Sequence, residues 1–216
     1  MRIRYFGHAA VGLTGSSGLR VLLDPYLPGA FDGRIGYSAI PDQWDVVIIS
    51  HDHLDHNYLA PEFGTPVVIT QSAAIDGLQV ERFQASHGTN HGTMTATTAV
   101  SRFVIDGLTV VHPGDIGIPV TQDLIASLQG TDLLFVPVGG RFTLDPSEAL
   151  DFVAKLNPRI AIPIHFKTPA VLLPLRPVED FLELCGRVRR FNAGEVRLDP
   201  ETLPLSTEIW HLPPLL

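Results

Sequence analysis

Ile49-Ser50-His51-Asp52-His53-Leu54-Asp55-His56 follows directly on the apolar run Val46-Val47-Ile48 and packs three imidazoles and two carboxylates into the six positions from His51 to His56. Neutral imidazole nitrogen and carboxylate oxygen are the donors that zinc, manganese and iron accept, and so dense a cluster repels itself on protonation unless a cation holds it. Alternation in an extended segment predicts that His51 and His53 share one side while Asp55 and His56 diverge toward another. One loop then serves two ligand sets, which implies two metal ions. A histidine-rich surface tract or tag would lack both the buried strand that leads in and the interleaved aspartates.

The chain around this cassette has 216 residues, enough to bury a sizeable core, and no Gly/Ser or charged low-complexity linker divides it. A single α/β domain over residues 1–216 is expected. A hydrophobic share of 45% excludes an intrinsically disordered chain. The net charge of −8 argues against nucleic acid as a partner, since that affinity comes mainly from cationic neutralisation of phosphates. No segment approaches the roughly 18 apolar residues of a membrane span, and the start Met1-Arg2-Ile3-Arg4-Tyr5-Phe6-Gly7 has no apolar leader region. A cytosolic protein acting on a small molecule, without membrane contact and compatible with a homo-oligomer, is the expectation. The single cysteine, Cys185, excludes an intramolecular disulfide and reads as a small buried hydrophobe.

Strands are predicted over Ile3–Phe6, Ala9–Thr14 and Leu19–Leu23, the last two joined by the turn Gly15-Ser16-Ser17-Gly18, and over Val46–Ser50 and Pro66–Thr70. Residues 26–43, rich in Gly and Pro, read as a long loop or lid. Gln71–Ile75 is expected to be a short helix closed by Asp76-Gly77, and a loop carrying His87 and His91 follows. Asp106-Gly107 between Val100–Ile105 and Leu108–His112 is a strong hairpin signal, and Thr121–Leu128 reads as a helix. Asp132–Val138 and Arg159–Ile164 are further strands. Between them Asp145-Pro146-Ser147-Glu148 carries an N-cap acceptor, proline at the first helical position and glutamate at the third, and starts a helix that runs to Leu156. Arg187-Val188-Arg189-Arg190 reads as the basic end of a helix.

Asp24, His51, Asp115 and His165 each stand just after an apolar strand, and His87 opens an irregular loop. Strand ends of a sheet-based domain converge on one rim, where α/β proteins build their ligand sites. Four imidazoles and two aspartates meeting there would make a dinuclear centre.

With these residues in hand, the chain resembles the metallo-β-lactamase superfamily, whose His-x-His-x-Asp-His signature is matched by His51, His53, Asp55 and His56. Gly7-His8-Ala9, Leu23-Asp24-Pro25, His112-Pro113-Gly114-Asp115, the run from Pro137 through Gly139-Gly140-Arg141-Phe142-Thr143, and Pro163-Ile164-His165 are similar to short metal-dependent hydrolases related to ascorbate-phosphate lactonases. The resemblance implies a four-layer αββα sandwich, with two mixed sheets packed face to face and helices outside. It also implies one metal on His51, His53 and His87, a second on Asp55, His56 and His165, and Asp115 bridging them. His91, four residues beyond His87, competes for the third place on the first metal.

Two such cations, most simply Zn2+ with Mn2+ or Fe as alternatives, can share a hydroxide as nucleophile and polarise a carbonyl or phosphoryl oxygen. Asp55 and Asp115 are then the catalytic carboxylates, Asp55 also orienting the hydroxide. The expected reaction is cleavage of a small anionic ester, lactone or phosphoester. A nuclease or phosphodiesterase of the same fold and a non-hydrolytic di-iron redox or metal-binding protein are the competing readings. His8, Asp24 and His112 are expected to orient ligands or touch substrate. Arg141 beside Gly139-Gly140 is the first candidate for an anion, against an ordinary salt bridge, and Lys167 is a weaker one. The run Pro169-Ala170-Val171-Leu172-Leu173-Pro174-Leu175-Arg176-Pro177 is expected to form a lid or a subunit interface.

Overall fold

A computed structural model describes residues 1–75, 77–88 and 96–215. The chain opens with an antiparallel meander, β1 (Arg2–Gly7), β2 (Ala10–Thr14) and β3 (Arg20–Leu23), whose alternating apolar residues bury one face. β4 (Val46–Ile48) and β5 (Val67–Ile69) then add in parallel to β3. A second sheet begins with β6 (Ala73–Ile75), β7 (Leu78–Ser86), β8 (Thr97–Ile105) and β9 (Leu108–His112), all antiparallel. It continues in parallel through β10 (Leu133–Pro137) and β11 (Ile160–Ile164), and ends on β14 (Glu208–His211) and β12 (Val188–Arg190). β13 (Glu195–Arg197) returns to the first sheet and closes it against β1. Both sheets are therefore mixed, in the orders β13-β1-β2-β3-β4-β5 and β12-β14-β11-β10-β9-β8-β7-β6.

The main core lies between the sheets. Tyr5, Val11, Leu13 and Leu23 face Phe103, Val110, Leu133 and Phe135, all essentially without solvent contact. β10 and β11 are buried at every position, because the helices Gln122–Ser127, Pro146–Leu156 and Glu179–Leu182 cover the second sheet's other face. In Pro146–Leu156 the buried positions Ala149, Phe152, Val153 and Leu156 fall on one helical stripe. Its start is the reciprocal cap: Glu148 N–H donates to Asp145 Oδ1 and Asp145 N–H donates to Glu148 Oε2, each at 2.8 Å.

The outer layer on the first sheet departs from the expected helices. Phe6, Leu22 and Val47 are covered there by the loop residues Tyr26, Ile35, Tyr37 and Trp44, by the short 3-10 turn Pro61–Phe63, and by Val171 and Leu175. A four-residue turn at Ala30–Gly33 is not a helix in its dihedrals, since Phe31 and Asp32 take left-handed conformations. Two local expectations are corrected. Ala73–Ile75 is a strand, held by pairing with Val80, Gln79 and Leu78, where a helix was predicted. Val188–Arg190 is also a strand rather than a helix end, and Arg189 lies over Phe191 and Trp210 at 4.9 and 5.2 Å. Cys185 is half-buried and its thiol donates to Phe181 O. Asp76 and His91 lie outside the described residues.

Candidate metal centre

One rim of the sandwich collects the ends of six strands. β1 delivers His8, β3 Asp24, β4 the cassette, β7 His87, β9 Asp115 and β11 His165. The cassette itself does not stay extended. His56 N–H and Asn57 N–H both donate to His53 O, at 2.9 and 3.0 Å, so residues 53–57 turn back toward the rim. The turn, not strand alternation, sends His51 and His53 one way and Asp55 and His56 another.

Two clusters result. Donor atoms of His51, His53 and His87 lie within 4.8 Å of one another, with His51 Nε2 only 2.8 Å from His53 Nδ1. Asp55, His56 and His165 form a second cluster with His8. Asp115 stands between them: its Oδ2 is 3.6 Å from His87 Nε2 and 3.3 Å from His165 Nε2, and its Oδ1 is 3.3 Å from His56 Nε2. Both ring nitrogens of His87, Nε2 of His56, Nδ1 of His165, and Oδ1 of both Asp55 and Asp115 are buried without a hydrogen-bond partner among the described residues. Buried polar atoms are ordinarily satisfied, so lone pairs left open around one point fit divalent ions.

The surrounding groups fix which nitrogen faces that point. Asp24, buried, accepts from Ser50 N–H at 2.7 Å and Ser50 Oγ–H at 2.6 Å, and its Oδ2 lies 2.9 Å from His56 Nδ1. His56 therefore carries a proton on Nδ1 and turns Nε2 inward. Ser50 Oγ also lies 2.8 Å from His51 Nδ1, so the same carboxylate orients His51 at one remove. Burial alone would raise the Asp24 pKa, but His112 and His56 outweigh it and hold the carboxyl down at about 2. For His56, burial is likewise overcome by Asp115 and Asp55, which push the imidazole well above its ordinary value. His8 Nε2 sits 2.8 Å from Asp55 Oδ2, and His8 O accepts from His165 N–H, so one residue steadies two others. His112 is further back: Gly114 N–H donates to its Nδ1, and its Nε2–H donates to Ala9 O.

Glycines make this crowding feasible. A Cβ on Gly117 would sit 1.5 Å from Gly88 O, where the Asp115 loop crosses the His87 strand end, and one on Gly139 would sit 2.1 Å from His165 O. A cavity of about 270 Å³ opens above these clusters, walled by Phe31, Arg34, Phe142 and Leu173. Arg141 is exposed, with its guanidinium over the Phe142 ring, and does not line this cavity. Lys167 lines a separate cleft and spends its ammonium on the carbonyls of Val171 and Leu173. Ser50 and Arg34 went unmarked in the sequence: serine beside a His cassette is unremarkable, and an arginine in an aperiodic loop has no pattern to place it.

A fold of two facing mixed sheets with a His-x-His-x-Asp-His turn at the rim defines a class, and the family described as the beta-lactamase superfamily domain matches residues 2–165. The chain belongs to this superfamily, in its metallo-β-lactamase form. It is 31% identical over 193 residues to a UPF0173 metal-dependent hydrolase of Methanospirillum hungatei, a match spanning 78% of this chain and 84% of that one. A Thermotoga maritima structure, assigned as a Zn-dependent hydrolase of the metallo-beta-lactamase superfamily, superposes with a TM-score of 0.77 at 27% identity, over 98% of this chain and 99% of the other. CmlA, a diiron beta-hydroxylase from Streptomyces venezuelae, shares the fold alone: TM-score 0.60 and 15% identity, over 98% of this chain and 53% of that one.

Proposed function

We propose that this protein is a metal-dependent hydrolase that cleaves a small anionic ester, lactone or phosphoester. His51, His53 and His87 would hold one divalent ion; Asp55, His56 and His165 would hold a second, with Asp115 shared. The observation that carries this reading is the set of unpartnered buried nitrogens and carboxylate oxygens around one point beneath a cavity. When bound, two such ions supply water activated near neutral pH and Lewis-acid polarisation of the scissile group. Asp55, held at Oδ2 by His8, keeps Oδ1 free to orient the attacking water and take its proton. Asp24 and Ser50 hold Nδ1 of His56 and His51 and so aim the Nε2 atoms inward, and His8 also anchors His165 through its backbone. Zn2+ fits this donor set best, with Mn2+ or Fe as alternatives.

Nucleic acid is disfavoured as substrate by the charge of −8 and by a cavity wall that, among the described residues, carries a single arginine or lysine, Arg34. No helix among the described residues is long and apolar enough to cross a membrane. The test is metal analysis of purified protein with turnover on a panel of aryl esters, lactones and bis(4-nitrophenyl) phosphate, before and after chelation. Two divalent ions and chelator-sensitive turnover lost in His51→Ala are expected. Two irons with redox-linked absorbance and no turnover would sink the hydrolase reading in favour of the redox one.

A further inference from the structure

Arg34 is exposed and has no ion partner among the described residues, although it stands at the proposed site. Arg4, Arg20, Arg102 and Arg176 each lie within 4.0 Å of a carboxylate, whereas among the described residues the Arg34 guanidinium has neither a carboxylate within that distance nor a hydrogen bond. It is nonetheless part of the cavity wall, beside Phe31, Phe142 and Leu173. An arginine without an ion partner, in a cavity wall that it shares with three apolar side chains above the His and Asp clusters, is poised for a carboxylate or phosphate.

The backbone beneath Arg34 is firmly held. Leu172 N–H donates to Arg34 O at 2.8 Å, Gly36 N–H to Ala170 O at 2.7 Å, and Gly29 N–H to Ile35 O at 2.8 Å, while Ile35 and Val171 form an antiparallel bridge. The Lys167 ammonium ties the same loop from behind, through Val171 O and Leu173 O. The Pro-rich run is thus joined to the loop at 29–36 as one lip of the cavity. At its edge Phe31 (φ 55, ψ 53) and Asp32 (φ 57, ψ 45) occupy the left-handed region that non-glycine residues avoid, and the Phe31 ring remains 39% exposed. Strain of this kind persists where the surroundings over-determine it, and it clusters at ligand clamps.

We infer that Arg34 is the residue that reads an anionic group on the substrate, and that the substrate class is an amphiphilic acid. Its apolar body lies against Phe31, Phe142 and Leu173, and its charged group lies away from the bond that is cleaved. The reaction rests on the hydrolase reading above; the binding geometry does not. Calorimetry on the metal-loaded chain with 3-phenylglutarate and its monomethyl ester tests it, since both offer a carboxylate to the ions and a phenyl ring to the wall, and only the diacid offers a second anion. Wild type should bind the diacid at least about tenfold tighter, Arg34→Ala should bring the two within about twofold, and Arg34→Lys should recover part of the difference. Phe142→Ala should abolish the advantage of 3-phenylglutarate over glutarate. Equal affinities in wild type, absence of binding by either compound, a preference that survives Arg34→Ala, or loss of metal from that variant would each overturn the assignment. An intact preference with no turnover on any ester or phosphodiester would end the hydrolase reading and leave this one standing.

Discussion

Replacing Asp24 probes the centre without touching a proposed ligand. Its carboxylate receives three donors in a buried pocket: Ser50 N–H, Ser50 Oγ–H and His56 Nδ1–H, at 2.7, 2.6 and 2.9 Å. In Asp24→Ala all three lose their acceptor, at about 1–3 kcal/mol each, a sum comparable with the whole stability of a domain. That variant is expected not to fold. Asp24→Asn keeps the shape and one acceptor oxygen, but its amide N–H group meets either Ser50 N–H, in the place of Oδ1, or both Ser50 Oγ–H and His56 Nδ1–H, in the place of Oδ2. Relief on the His56 side requires the imidazole proton to move to Nε2, the nitrogen aimed at the ion. Changes to groups that orient metal ligands cost about 10- to 100-fold in affinity, or roughly 1.4–2.7 kcal/mol. Competition against a chromophoric chelator at neutral pH measures this, with circular dichroism to establish folding. A folded Asp24→Asn that binds metal within about twofold of wild type would refute the reasoning.

Other consequences follow from single positions. Gly117→Ala places a methyl 1.5 Å from Gly88 O and must displace His87, so elemental analysis should find one ion fewer, whereas Gly186→Ala, with nothing within 4 Å, should retain the full count. Acidification should weaken the metal-free protein. Burial is the largest cause lowering the imidazoles of His8 to about 4, His51 to about 3, and His87 and His112 below their ordinary 6.5. Their folded-state pKa values lie below the unfolded ones, so the unfolded chain takes up protons first as pH falls from 6.5 toward 4; His211 is lowered too, mainly by burial, and His56 runs the opposite way, one group against five. The denaturant midpoint of chelator-treated protein should therefore be lower near about pH 5 than near about pH 7, and an unchanged or higher midpoint would contradict this. Asp145→Ala removes the side-chain arm of the helix cap, leaving the backbone N–H to Glu148, and should cost about 1 kcal/mol, or about 2–4 °C in Tm by calorimetry.

The parts legible in the sequence were those with dense local signals. The cassette, the Asp106-Gly107 hairpin and the Asp145 cap each specify their structure within a few residues, and apolar runs ending in Asp or His gave the strand ends that meet at the rim. β7 was not legible, because Glu81-Arg82-Phe83-Gln84 owes its extended form to pairing with β8 across the loop. Ala73–Ile75 is too short for periodicity to separate strand from helix. β12 was hidden by its charges, which are carried over aromatic neighbours brought by the fold. Arg34 was invisible for a different reason. Its place follows from an Ile35–Val171 bridge between distant loops, neither of which has regular structure of its own.

The proposed ligands are divided between the sheets. His51, His53, Asp55 and His56 follow a strand of the first, while His87, Asp115 and His165 follow strands of the second. A ribosome that has released the cassette has therefore released only half a chelator; the set is complete once His165 has emerged and β11 has found its place beside β10. Tight metal capture in a growing chain is then a late event that reports completion of the sandwich, and a truncated product ending before His165 would carry the signature without the complete site.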